Sequence, residues 1–155
     1  MTKSNTYKAG RHFLQVPGST NIPDRILRAM DYPAIDHRGP KFQDLSKRIL
    51  ERIKLIFKST DPVVIYPSAG TGAMEASLVN TLSEGDKILM YETGEFARQW
   101  YEAAERFKIK VDFVPGDWRT GADPEITRQK LLADKKHEIK AVLVTHNETS
   151  TGIKS

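Results

Sequence analysis

The sequence predicts an α/β domain: a mainly parallel open sheet with flanking helices, preceded by an N-terminal arm and helices. Three observations carry that reading. Four short, mostly apolar runs follow Asp61, at residues 63–66, 87–91, 111–114 and 141–144, and runs of this length suit buried strands. Segments with apolar residues at helical spacing separate them, and strands alternating with helices specify parallel βαβ units with right-handed crossovers. Finally, Val63-Val64-Ile65-Tyr66 lies between Pro62 and Pro67 and passes through Ser68-Ala69-Gly70-Thr71-Gly72 into a helix.

Taken in order, residues 1–10 are polar and read as a flexible start. Residues 11–24 carry Pro17, Gly18 and Pro23, with Phe13, Leu14 and Val16 as anchors, which predicts an extended arm and a turn. Asp24 can cap a short helix through Ile26, Leu27 and Met30. Pro33 and Gly39-Pro40 bound a loop holding Asp36, His37 and Arg38. A longer helix is expected over residues 42–57, with Phe42, Leu45, Ile49, Ile53 and Ile56 on one face and its basic residues on the solvated side. These segments form a first region, residues 1–59, and the sheet domain is expected over residues 60–155.

Within the sheet domain, Met74, Leu78 and Leu82 recur every fourth residue after the glycine turn, which is helical spacing. Gly85-Asp86 turns the chain into Lys87-Ile-Leu-Met-Tyr91. Thr93-Gly94-Glu95 leads into a helix with Phe96, Trp100, Ala103, Ala104 and Phe107. After the strand at 111–114, Asp117 to Gly121 form a polar loop, and Asp123-Pro124 opens a helix with proline at its first position. Residues 141–144 complete the set as a strand expected to be buried, since its apolar run does not alternate.

Bulk properties exclude several function classes. The 155 residues hold 24 basic and 20 acidic side chains, a net charge of +4 spread along the chain. No Lys/Arg block or aromatic–basic interleaving supports nucleic-acid binding. Without cysteine, neither a disulfide framework nor a thiolate metal site can form. The first ten residues lack an apolar signal region, and no run approaches the roughly 20 apolar residues of a membrane span, so a cytoplasmic setting is expected. His146 has neither metal-ligand spacing nor a nucleophile partner, so no metal is expected.

A strand that feeds a helix through small residues leaves unpaired N–H groups and the positive end of a helix dipole at the turn. Ser68 or Thr71 could cap the helix. No Lys-Ser or Lys-Thr follows the second glycine, and Glu75 stands where a dinucleotide fingerprint needs its third glycine. The residues themselves therefore fit either an anion site or an ordinary tight turn.

Ser68-Ala-Gly-Thr-Gly-Ala73 followed by Glu75 resembles the phosphate loop of class V aminotransferases. Gln15-Val-Pro-Gly-Ser-Thr-Asn-Ile-Pro-Asp24, Ile35-Asp-His-Arg-Gly-Pro40, Tyr91-Glu-Thr-Gly94 with Phe96, Pro115-Gly-Asp-Trp118 and Thr145-His-Asn-Glu-Thr-Ser-Thr-Gly152 are similar to serine–glyoxylate and alanine–glyoxylate aminotransferases. The resemblance implies part of a fold-type I large domain, with pyridoxal 5'-phosphate as cofactor. It implies that Ala69, Gly70 and Thr71 hold the phosphate, that Phe96 stacks on the ring, and that the Thr149 hydroxyl meets the ring oxygen, with adjacent Ser150 able to substitute. Asn147 and Glu148 would shape that turn. Trp100, one turn after Phe96, is the alternative platform, though its place on the apolar helix stripe favours the core. Backbone at Gly18 would lie near the substrate carboxylate.

The implied reaction moves an amino group from serine or alanine to a 2-oxo acid, glyoxylate, in a homodimer. The Schiff-base lysine and the aspartate that pairs with the pyridine nitrogen have no counterpart here, and Lys154, expected at a fraying end, is off the pattern. The chain is thus expected to be an N-terminal portion with an incomplete cofactor domain, inactive alone. The alternatives are an autonomous phosphate- or nucleotide-binding module and a non-catalytic partner subunit.

Overall fold

The structure, a computed structural model, describes Gly10, residues 13–16 and residues 18–155. The chain forms two compact units, Met1–Pro67 and Ser68–Ser155. In the first, α1 (Asp24–Met30) starts after Pro23, so Asp24 is its first helical residue rather than its cap. Helix α2 (Pro40–Phe57) begins two residues before Phe42. Pro40 stands in its first turn, where a missing N–H costs nothing. It ends at Lys58 in the left-handed conformation, φ 49°. The expected apolar stripe is on α2, yet neither helix of this unit contains a buried residue.

Residues 63–66 do not form the expected strand. They belong to neither sheet among the described residues, and Val64 and Ile65 are 75% and 59% exposed. β-branched composition favours a pleated backbone but supplies no ladder partner, and a strand persists only by pairing. The unit boundary accordingly falls at Pro67, later than Ser59.

The second unit runs α3 (Gly70–Thr81), β1 (Lys87–Tyr91), α4 (Glu95–Arg106), β2 (Lys110–Val114), α5 (Pro124–Ala133), β3 (Ile139–Leu143), β4 (Asn147–Glu148) and β5 (Ile153–Lys154). Strands β2, β1 and β3 form a parallel sheet in that order, with Ile88 opposite Val111 and Ala141. Central β1 is buried along Ile88, Leu89, Met90 and Tyr91. Leu78 of α3, Ala104 of α4, Ile109 and Leu143 close over Ile88 and Met90. Each large apolar side chain removed from water here contributes about 1.5–3 kcal/mol.

Strand β3 is less buried than its apolar run predicts. It lies at a sheet edge, and its exposure alternates, with Val142 38% exposed. Helix α5 follows its local signals closely: Pro124 opens it, and the Asp123 carboxylate accepts from the Glu125 N–H at 2.8 Å. Lys154 belongs to β5, opposite Asn147, in a short antiparallel hairpin. No helix among the described residues is long and apolar enough to cross a membrane.

Candidate cofactor site

Chain direction sets where the site can form. Helix α3 enters β1 through a short turn, and β1 leads directly into α4, so both helices run back along the sheet from its carboxyl edge. Trp100 of α4 donates its indole N–H to the Met74 carbonyl of α3 at 3.2 Å, placing the second turns of the two helices side by side. Both N-termini therefore lie at the carboxyl edge of the strands, where parallel sheets gather ligands.

At α3 the cap position is Ala69, which makes no side-chain cap bond, and the first turn holds no acidic residue. Neither Ser68 nor Thr71 is the cap. Ser68 instead packs over Gly72, where a Cβ would lie 1.8 Å from the Ser68 hydroxyl, so the turn closes only around glycine. A Cβ on Gly70 would meet nothing within 4 Å, which leaves open space above that backbone. Thr71, with Met74 and Glu75, lines a cavity of about 380 Å³ against Gln99, Glu102 and Arg106 of α4.

The start of α4 is the opposite case. Glu148 is 1% exposed. Its carboxylate accepts from the Phe96 N–H at 3.3 Å, the Ala97 N–H at 3.1 Å, the Ser150 N–H at 3.2 Å and the Ser150 hydroxyl at 2.6 Å. Ser150 Oγ also accepts from the Glu95 N–H at 3.0 Å. Burying a carboxylate alone would be costly; these donors and the positive end of the α4 dipole offset that cost. Gly94 permits the approach, because a Cβ there would lie 2.5 Å from Glu148 Cγ and 2.7 Å from Ser150 Oγ. Thr151 Oγ1 donates to the Thr93 carbonyl at 3.3 Å, a second tie between the two segments.

The structure thus joins residues 92–96 and 145–151, which follow the paired strands β1 and β3. The segment after β2 is tied in as well: Glu92 accepts the Trp118 indole N–H at 3.0 Å and the Gly116 N–H at 3.4 Å. Phe96 is half-buried and takes no part in the core cluster, whereas Trp100 packs against it. Thr149 is exposed. Ser150, expected to be able to replace Thr149, has its hydroxyl engaged by Glu148 and Glu95. Gly18 is exposed in the first unit at φ +113°, and neighbouring Pro17 lies outside the described residues.

Sequence reasoning gave Glu148 no more than a part in shaping its turn. Its partners in α4 are 51 and 52 residues away, and no local pattern encodes such a contact. The one signal available was Gly94, a glycine directly before a helix that has no turn to make there.

A parallel sheet whose carboxyl edge gathers helix N-termini and connecting loops defines an α/β ligand-binding domain. The sequence pattern of the aminotransferase class-V family matches residues 12–155, and the chain belongs to that family. It is 46% identical over 151 residues to the serine–glyoxylate aminotransferase of Methylorubrum extorquens, covering 97% of this chain and 38% of that protein. It is 44% identical to the L-aspartate–glyoxylate aminotransferase of Paracoccus denitrificans, covering 90% of this chain and 36% of the relative. The crystal structure of ureidoglycine–glyoxylate aminotransferase from Bacillus subtilis superposes with a TM-score of 0.80 at 25% identity, over 97% of this chain and 38% of that one. The chain therefore spans less than two-fifths of the length of these relatives.

Family membership implies pyridoxal phosphate, and the residues present fit it. The N-terminus of α3, with alanine at its cap position and no acid in its first turn, suits a dianionic phosphate. The hydroxyls of Thr93 and Thr145, just past β1 and β3, are buried with no hydrogen-bond partner among the described residues. Polar atoms left so are compatible with a site that a ligand or water completes.

Proposed function

We propose that this carboxyl edge binds pyridoxal 5'-phosphate, and that the protein moves an amino group from serine or alanine to glyoxylate. Backbone N–H groups of Ala69, Gly70 and Thr71 are assigned to the phosphate, the Phe96 ring to the cofactor ring, and the Thr149 hydroxyl to the ring oxygen. Gly18 is assigned to the substrate carboxylate, and the assembly to a homodimer in the cytoplasm. One observation carries the reading: a helix N-terminus whose cap residue is an alanine, with open space over Gly70, shares an edge with a half-buried aromatic ring that the core does not use.

When bound, the cofactor supplies an electron sink for the bond made labile at the substrate α-carbon. This chain's residues bind and orient. The α3 dipole and its N–H groups fix the phosphate end. Phe96 covers one face of the ring and excludes water from it. Thr149 fixes the ring's rotation by a hydrogen bond. No residue of this chain is assigned the proton transfer, and none of its lysines the covalent anchor, so the isolated chain is proposed to hold cofactor non-covalently and without turnover.

Cofactor titration tests the cradle. Gly70→Val, which fills the open space over the backbone, is expected to lower pyridoxal-phosphate affinity by about tenfold or more, the worth of one to two charge-assisted hydrogen bonds. Unchanged affinity would reduce the loop to a turn. Borohydride reduction followed by mass spectrometry tests the anchor, and scattered substoichiometric labelling is expected. Stoichiometric labelling of one lysine, with serine–glyoxylate turnover by the isolated chain, would overturn that assignment.

A further inference from the structure

Glu148 is a buried ionisable side chain to which the cofactor reading gives no task. Its carboxylate spans two segments that are distant in sequence. One oxygen takes the Phe96 N–H together with the Ser150 N–H and hydroxyl, and the other takes the Ala97 N–H. Its immediate neighbour in the chain is Thr149, and one of its donors is the backbone of Phe96 itself. The two groups assigned to the cofactor ring therefore hang on a single carboxylate. A helix N-cap needs only a local Ser, Thr, Asp or Asn, at position 94 here. The sequence instead has glycine at 94, leaves room for Glu148, and spends a buried charge on the junction.

We propose that Glu148 is a positioning residue that locks the 145–151 turn to the first turn of α4, so that the Thr149 hydroxyl and the Phe96 ring meet the cofactor ring as one rigid unit. The inference rests on the assignment of Phe96 and Thr149 to the ring. It makes a selective demand. Loosening Glu148 should disturb the ring end of the site while leaving the phosphate end, built on α3, as it was.

Glu148→Gln keeps the volume and one acceptor oxygen but places an NH₂ against the remaining donors. The 155-residue chain and this variant would be titrated with inorganic phosphate and with pyridoxal 5'-phosphate, and amide exchange would be followed without ligand. Expected are unchanged phosphate affinity, pyridoxal-phosphate affinity lower by about tenfold, and faster exchange together at Phe96, Ala97 and Ser150. Ser150→Ala, which removes one donor from a more exposed position, should give the same selective pattern at smaller amplitude and guards against a variant that fails to fold.

Equal loss for both ligands would make Glu148 a general structural residue, and no change in exchange would mean that it locks nothing; either outcome overturns the proposal. Phe96→Ala separates the two readings. If it leaves pyridoxal-phosphate affinity unchanged, the ring assignment fails, and coordinated exchange at Phe96, Ala97 and Ser150 would then support the lock while its cofactor role is rejected.

Discussion

Helices α3 and α4 are each 12 residues long, lie side by side, and present their N-termini to the same edge of one sheet. Their ends are treated in opposite ways. The start of α4 has Glu95 in its first turn, a buried carboxylate against two of its N–H groups and a serine hydroxyl against a third. The start of α3 has alanine as its cap, no acid in its first turn and open space over Gly70. A helix end met by buried carboxylate and hydroxyl groups is a structural joint, and one with no acid beside its dipole can accept an external anion. The contrast supports the proposal that α3 binds phosphate and α4 holds the ring platform, though the two sequences announce themselves alike, each as small residues before a helix.

The largest effect expected sharpens this contrast along α4 itself. Trp100 packs on the core and donates its indole N–H to Met74, so Trp100→Ala should cost about 3 kcal/mol of stability by loss of packing and of the bridge to α3. Phe96→Ala, one turn earlier and outside the core cluster, should cost about 1 kcal/mol or less while weakening cofactor retention. Urea unfolding and cofactor titration of both variants check the pair. The reverse ranking would exchange the roles of the two rings.

The contrast can also be erased. Ala69→Asp gives α3 the kind of cap that α4 already has. It should stabilise the chain by about 1 kcal/mol, because an acidic N-cap satisfies orphan N–H groups and answers the dipole. The same carboxylate should repel an incoming phosphate and lower pyridoxal-phosphate affinity by about tenfold. Stabilisation with undiminished cofactor binding would show that the phosphate lies elsewhere.

What was legible in the sequence follows from the range of the interactions. The cap of α5 is written in two adjacent residues, Asp123 and Pro124, and the structure has it. Strands β1 and β2 were placed within one residue by apolar patterning and turn residues. Residues 63–66 carry an equally clear apolar pattern, but pattern encodes propensity and not a neighbour, and no paired strand formed there. Strand β3 reads as fully buried for the same reason: an edge position is a property of strand order, which no local run records. The glycine turn before α3 was legible from its residues, whereas the Glu148 contacts were not, because they reach N–H groups some 50 residues upstream. The engagement of the Ser150 hydroxyl by that distant helix was hidden for the same reason.

The smallest effect concerns a carboxylate that caps as Glu148 does but in the open. Asp134, at the end of α5, accepts the Ile139 N–H at 2.8 Å and the Glu138 N–H at 3.1 Å, so it ties the helix to the start of β3. Those backbone donors, Ile139 foremost, hold its carboxyl below the usual aspartate value. The folded state therefore binds this proton less readily than the unfolded chain. The tie is complete above about pH 4, where an unperturbed aspartate is ionised, and weakens as pH falls through the lower folded value. The amide resonances of Ile139 and Glu138 should move together in that acid range. Ile139 and Glu138 shifts that stay flat down to global unfolding, or that titrate above the usual aspartate value, would show that the tie does not depend on the ionised carboxylate. Asp134→Asn should abolish the acid-range movement while leaving the resonances of the α4 cap unaltered, which separates an exposed cap from a buried one in the same domain.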